Sequence, residues 1–69
     1  MTNSELLRQE IENSGYKLQY LAGKLEITRF ALSNKINNLS EFKASEIATL
    51  CKELKIDDPD KRDAIFFNN

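Results

Sequence analysis

The sequence contains no histidine and no tryptophan, and it has one cysteine and one proline among 69 residues. A single cysteine cannot form an internal disulfide, and without histidine the ligand sets of zinc fingers are excluded. A catalytic triad built on an imidazole base is excluded for the same reason. Cys51 falls in an apolar stripe, where we expect it to pack as a small core residue. We therefore expect no metal site, no cofactor and no enzymatic activity.

Long apolar runs are also missing. No segment is apolar over the length that a membrane span needs, and no signal peptide pattern is present. These absences predict a cytoplasmic protein without a membrane partner. Glycine is scarce as well, whereas leucine, lysine, glutamate and isoleucine are common, which favours helices. A chain this short buries only about 60% of its unfolded surface, so we expect one small domain over residues 1–69.

The charges are nearly balanced, with ten Lys and Arg against eleven Asp and Glu. This balance is unusual for a protein that binds nucleic acid, because lysine and arginine at phosphates supply much of the affinity. The distribution is uneven, however. Residues 16–38 carry four basic residues and one acid, Glu26. A locally basic face is therefore compatible with the overall charge of −1.

The first helix is predicted from about Asn3 to Ser14. Thr2 and Glu5 have the spacing of a capping box, and Gly15 suits a left-handed C-terminal cap. The residues expected on its inward stripe are Leu6, Leu7 and Ile11.

Residues 17–38 predict two short helices joined by a tight turn. Helix 2 covers roughly 17–24, the turn covers 25–27, and Thr28 is a suitable N-cap for helix 3 at about 29–37. The inward residues of helix 2 follow helical spacing and are Leu18, Leu21, Ala22 and Leu25. This order is typical of a helix-turn-helix, which places its second helix in the DNA major groove.

Helix 3 is predicted to have two different sides. Leu32 and Ile36 point inward at helical spacing. The outward residues include no carboxylate and are Phe30, Ser33, Asn34 and Asn37. A face without acids is suited to contact with phosphates and base edges.

After a polar loop, helix 4 is predicted at about 44–55. Asp58 as N-cap and Pro59 as first residue then predict a short fifth helix. Residues 64–69 form a short apolar C-terminal tail. Its residues Ile65, Phe66 and Phe67 either fold back onto the core or form a short strand in a dimer or partner interface.

The order of elements and the segment LAGKLEITRFALSNKINN resemble the Cro/repressor-type helix-turn-helix family, also called the XRE family. Within it, ITRFALSNKINNLSEFKASEI is most similar to small lysogeny-switch regulators of temperate phages, including Cro-like repressors and modulator-of-repression antirepressors. The resemblance implies a small all-α, four- to five-helix, lambda-repressor-like domain with its helix-turn-helix at about residues 17–37. It also implies a regulator that works in the cytoplasm of a bacterial host.

Carried over by position, the resemblance makes Arg29, Phe30, Ser33 and Asn34 the candidates for base contacts. Further DNA-binding candidates, for phosphates or at the rim, are Lys17, Gln19, Lys35, Asn37, Asn38 and Lys43. Two positions depart from the family pattern. Glu26 stands where many members have glycine in the turn, and Leu18 stands where many have a glutamine that holds a phosphate.

Two functions follow from these residues. The first is a transcriptional regulator that binds double-stranded operator DNA through helix 3 and acts with a partner repressor, with a homodimer as an option. The alternative is an antirepressor that binds a repressor protein and masks or alters its DNA binding. The residues predicted at a protein interface are Phe30, Asn34, Ile65, Phe66 and Phe67.

Overall fold

The computed structural model describes residues 1–68, so Asn69 of the predicted tail lies outside the described residues. Within residues 1–68 the chain is all-α, with five helices and no strand. The helices are α1 (Ser4–Ser14), α2 (Leu18–Leu25), α3 (Arg29–Ile36), α4 (Ala44–Leu54) and α5 (Pro59–Phe66). This confirms the predicted fold class. None of these helices is long and apolar enough to cross a membrane.

The helix ends follow from their capping residues, with one correction. Gly15 adopts the predicted left-handed conformation after α1, with φ of 77°. Asp58 caps α5 through its side chain, which accepts from the amide of Asp60. The N-cap of α1, however, is Asn3 rather than Thr2, since the Asn3 side chain accepts from the amide of Leu6 at 3.1 Å.

The core is aliphatic except for Phe66 and is shared by all five helices. Its fully buried centre consists of Leu7, Leu21, Leu32, Ile36, Leu50 and Ile65. The prediction that Leu6 points inward is wrong, because Leu6 is exposed and α1 contributes Leu7 and Ile11 to the core. Burial of such side chains is the main stabilising term in a domain of this size.

The chain's first residues hold distant elements together. The amide of Thr2 donates to the side-chain oxygen of Asn38 at 2.9 Å, and the Asn38 amide nitrogen donates back to the Thr2 carbonyl at 2.8 Å. The amide of Asn3 donates to the carbonyl of Ile65 at 2.6 Å. The Ser4 hydroxyl donates to the carbonyl of Ile36 at 2.5 Å. This amino-terminal clasp, residues 1–4, ties the end of α3 to α5.

The predicted apolar tail is part of a helix. Ile65 and Phe66 belong to α5 and are buried in the core. The ring of Phe66 packs edge-on against Phe42 with centroids 5.6 Å apart. Of the two predicted alternatives for these residues, packing onto the core is therefore the one observed. Ile65 and Phe66 are not available to a partner. Phe67 alone stays exposed among the three apolar residues of the tail.

Candidate nucleic-acid interface

The turn between α2 and α3 is short and strained at one residue. Glu26 has φ of 58°, in the left-handed region where glycine is favoured. Its amide donates to the carbonyls of Ala22 and Gly23, which closes α2. The Thr28 hydroxyl then accepts from the amide of Ala31 at 3.0 Å, as predicted for the start of α3. A side chain at the Glu26 position costs about 1 kcal/mol relative to glycine.

The two sides of α3 are as the spacing predicts. Leu32 and Ile36 are fully buried, whereas the Phe30 side chain is 76% exposed. Arg29 is exposed, and Ser33 and Asn34 are half-buried at the surface. No residue of α3 is acidic. The outward side of α3 therefore presents an aromatic ring, a hydroxyl and an amide beside the guanidinium of Arg29, which forms no salt bridge within residues 1–68.

The beginnings of α2 and α3 lie beside one another. Lys17, Leu18, Gln19 and Arg29 line one open depression of about 370 Å³. Lys17 is the N-cap residue of α2, but its side chain makes no capping hydrogen bond. Leu18 packs partly against the core, and Gln19 is exposed. The first amides of α2 thus lie close to two cationic side chains, an arrangement that suits a phosphate.

Lys35 is predicted to contact phosphate, and its contacts contradict that prediction. Its ammonium lies 3.0 Å from Oε1 of Glu46, and the two side chains are only 12% and 8% exposed. The same ammonium also donates to the carbonyl of Glu41 at 3.0 Å. Lys35 therefore joins α3 to α4. Because its ammonium is already bound by Glu46 and by the Glu41 carbonyl, it is not available to a phosphate.

Glu46 is the other half of this ion pair. Its Oε1 also accepts from the backbone amide of Lys43 at 2.8 Å. Burial raises the pKa of the Glu46 carboxyl, but the Lys43 amide and the Lys35 ammonium outweigh burial and hold the pKa below its usual value. The carboxylate is thus ionised at neutral pH and stabilises the start of α4.

The three remaining DNA-binding candidates after α3 differ in whether their side chains are available to a phosphate. The Asn38 side chain is used by Thr2, so it cannot also serve a phosphate without breaking the clasp. The side-chain oxygen of Asn37 accepts from the guanidinium of Arg8, although Asn37 is itself exposed. Lys43 is exposed at the start of α4 and forms no salt bridge among the residues that the structure describes. Of the three, Lys43 fits the predicted role best.

Leu39 is a surface residue that the sequence patterns did not indicate, and its side chain is 75% exposed. Its amide donates to the carbonyl of Asn34 at 2.8 Å, so Leu39 sits at the carboxyl end of α3. Composition assigns residues 37–40 to a loop, which hides one apolar residue among polar ones. A single leucine in an otherwise polar loop was the sequence feature that could have indicated an exposed apolar contact residue.

A cluster of two tyrosines and a lysine lies on the surface at α2. The rings of Tyr16 and Tyr20 stack with centroids 4.7 Å apart, and the Lys24 ammonium lies 5.4 Å from the Tyr20 centroid. The Tyr20 hydroxyl donates to Glu53 at 3.0 Å, and this bond raises the pKa of the phenol. The bond from Tyr20 to Glu53 therefore joins α2 to α4.

Among the residues that the structure describes, no group of three His, Cys, Asp or Glu side chains is placed to hold a metal ion. Comparison of the chain with protein-family models, with curated proteins and with solved structures finds no match. The fold and the site define a small five-helix domain with a tight α2–turn–α3 unit and an acid-free outward face on α3.

Proposed function

We propose that this protein is a transcriptional regulator of the Cro/repressor type that binds operator DNA through α3. The observation that carries this proposal is the orientation of α3. Leu32 and Ile36 fix one side in the core, and the other side presents Arg29, Phe30 and Asn34 without a carboxylate. A binding role of this kind needs no catalytic group, and the bacterial cytoplasm of a phage or prophage host is the compartment it implies.

The proposed contacts follow from the chemistry of each side chain. Asn34 has the geometry to bridge N6 and N7 of adenine, and Arg29 can read guanine or hold a phosphate. The Phe30 ring can contact the methyl group of thymine. Lys17 and Gln19 lie beside Arg29 around one depression and are suited to the phosphate backbone on that side. Lys43 supplies a further phosphate contact from the start of α4.

The charge balance sets the expected strength. The chain has ten basic residues and eleven acidic ones, and the charge of Lys35 is already neutralised by Glu46. A single domain whose basic residues are outnumbered by acids binds DNA weakly on its own and covers one half-site. We therefore propose that tight binding at an operator requires a partner, either a repressor or a second copy.

The test begins with selection of duplexes from a random library, because it needs no knowledge of the operator. Fluorescence anisotropy on the selected duplex then compares the wild type with Arg29→Ala and Asn34→Ala. Each substitution should weaken sequence-specific binding by about 1–3 kcal/mol, the usual value of a good base contact. Lys52→Ala and Asn13→Ala are the matched controls, since both residues are exposed away from α3.

The salt dependence separates phosphate contacts from structural residues. Lys17→Ala should lower the slope of log affinity against log salt by about 0.9, the value of one phosphate contact. Lys35→Met should leave that slope unchanged because its ammonium is held by Glu46. If both α3 substitutions leave specific binding intact, α3 is not the helix that reads DNA.

A second candidate function is an antirepressor that binds a repressor protein. Phe30 and Leu39 favour this function, since the side chains of both are about three-quarters exposed. Phe30 lies on α3, and Leu39 lies just beyond its carboxyl end. Large apolar side chains of this kind often form the centre of a protein interface. For this function the outward side of α3, including Asn34, would be covered by the repressor rather than by DNA.

Size-exclusion chromatography of the protein mixed with a repressor encoded beside its gene tests this function. At about 50 µM of each protein, a specific complex should elute as one peak. Phe30→Ala and Leu39→Ala should abolish that peak, whereas Leu6→Ala, at another exposed leucine, should not. Separate elution of the wild-type proteins would remove the antirepressor function.

A further inference from the structure

Arg8 belongs to α1, outside the α2–turn–α3 unit, but its side chain reaches the carboxyl end of α3. Its guanidinium donates to the side-chain oxygen of Asn37, the C-cap residue of α3. One turn earlier on the same face of α1, the Ser4 hydroxyl donates to the carbonyl of Ile36 at 2.5 Å. Two bonds from one face of α1 therefore hold that face against the last residues of α3.

The positive charge of Arg8 is not cancelled by this contact, because the Asn37 amide is neutral. The salt bridges within residues 1–68 involve Lys35, Lys61 and Arg62, and Arg8 takes part in none of them. Arg8 is also exposed to solvent. A guanidinium has five N–H donors in a planar fork, and the bond to Asn37 uses Nη2 alone. The rest of the fork is suited to a planar or tetrahedral anion such as phosphate.

Arg8 lies on the same stretch of surface as the cations at the beginnings of α2 and α3. An open depression of about 230 Å³ is lined by Arg8, Ile11, Glu12, Leu18 and Ile36. Leu18 also lines the depression that contains Lys17 and Arg29. The two depressions therefore adjoin at Leu18 and bring together one basic residue from α1, one at the start of α2 and one from α3. Glu12 is the only acid in their lining.

We propose that Arg8 contacts a phosphate of the DNA that α3 binds, and that Asn37 is a positioning residue for its guanidinium. This inference rests on the proposed function and adds to it a contact from α1. Phosphate contacts fix the register of a protein on the duplex. Lys17 and Arg29 would do so at the beginning of α3, and Arg8 at its carboxyl end. Asn37, predicted to contact DNA directly, then acts through Arg8.

The salt dependence of binding to the selected duplex tests the contact. Fluorescence anisotropy between about 50 and 200 mM salt should show the slope of log affinity against log salt reduced by about 0.9 in Arg8→Ala. The advantage of the wild type over Arg8→Ala should therefore shrink about threefold across this range. Arg8→Lys should keep the wild-type slope, because an ammonium also binds phosphate, although without the fork.

Arg62→Ala is the matched control for charge. It removes the same single charge from an exposed arginine, but Arg62 is on α5 and is paired with Asp63. Its slope should equal that of the wild type. An equal reduction in Arg62→Ala and Arg8→Ala would show a general effect of net charge and would overturn the proposed contact. Circular dichroism checks that each variant is folded.

A double-mutant cycle tests the role of Asn37. Asn37→Ala alone should weaken binding less than Arg8→Ala and should keep the wild-type slope, since the Arg8 charge remains. In the Arg8→Ala protein, Asn37→Ala should have no further effect, because the side chain that it positions is already gone. Independent, additive losses would mean that Asn37 contacts DNA by itself and would overturn its positioning role.

Neutral methylphosphonates, placed one at a time along the selected duplex, locate the contact. At one position the substitution should weaken the wild type and leave Arg8→Ala unaffected. An unchanged slope in Arg8→Ala, with no such position, overturns the proposal even if Arg8→Ala weakens a complex with the repressor. Sequence-specific binding that still depends on Arg29 and Asn34 would then leave the proposed function standing. If the wild type selects no duplex, the proposed function and this contact both fail.

Discussion

The Lys35–Glu46 ion pair offers the sharpest prediction of stability. Both side chains are nearly buried, and each has one further hydrogen-bond partner in the backbone, Glu41 for the lysine and Lys43 for the carboxylate. Removal of one member of a fully buried pair costs about 3–5 kcal/mol. Here the remaining backbone bond lowers the cost. We expect Lys35→Met to lose about 2 kcal/mol and Glu46→Gln, which keeps an oxygen acceptor, to lose about 1 kcal/mol.

These losses are large for this chain, because stability of about 0.05–0.15 kcal/mol per residue gives only about 3–10 kcal/mol in total. Urea unfolding followed by circular dichroism at neutral pH measures them. Changes below about 0.5 kcal/mol in both variants would be ordinary for surface residues and would refute a structural role for the pair.

The pH dependence provides the second half of the test. The pKa of Glu46 is lower in the folded protein than its ordinary value of about 4.3. The carboxylate therefore contributes stability above that ordinary value, and the contribution is lost as pH falls through the lower folded pKa. The stability difference between the wild type and Glu46→Gln should be constant near pH 7 and should vanish in acid. A difference that is the same at every pH would contradict the lowered pKa.

Substitutions at three other positions test the backbone. Asn38→Gly keeps the left-handed conformation but removes the two bonds to Thr2, so urea unfolding should show a loss of about 1–2 kcal/mol, with Asn38→Ala losing more. Glu26→Gly should raise the unfolding free energy by up to about 1 kcal/mol by relieving its positive φ, and an unchanged or lower value would argue against strain there. Gly23→Ala should raise the thermal midpoint by the equivalent of about 0.8 kcal/mol, since a Cβ at this helical position meets open space; a decrease would reveal a contact that the structure does not show.

Residues close together in the sequence were sufficient to predict the ends and the buried side of the helices around α3. The spacing of Leu32 and Ile36 predicted its buried side, and Thr28 predicted where it begins. Gly15 predicted the end of α1. These features depend on residues a few positions apart, so the sequence pattern and the tertiary structure agree. The exposed position of Phe30 followed from the same periodicity.

Long-range contacts were not predictable in the same way. Thr2 and Asn3 are both good N-caps, and the choice depends on Asn38, which is 36 residues from Thr2 along the chain. The neutralisation of Lys35 required knowing that Glu46 of the next helix faces it. Hydrophobic character alone left two options for Ile65, and the packing of α5 against the core selected one.

The amino-terminal clasp has a practical consequence for measurement. Because residues 1–4 hydrogen-bond to the end of α3 and to α5, a fusion or dye attached beside them would disturb the helix proposed to bind DNA. Asn68 is equally unsuitable, since its amide donates to the carbonyl of Met1 at 3.0 Å. A reporter belongs instead on the exposed side chain of Lys52, or on the nucleic acid itself.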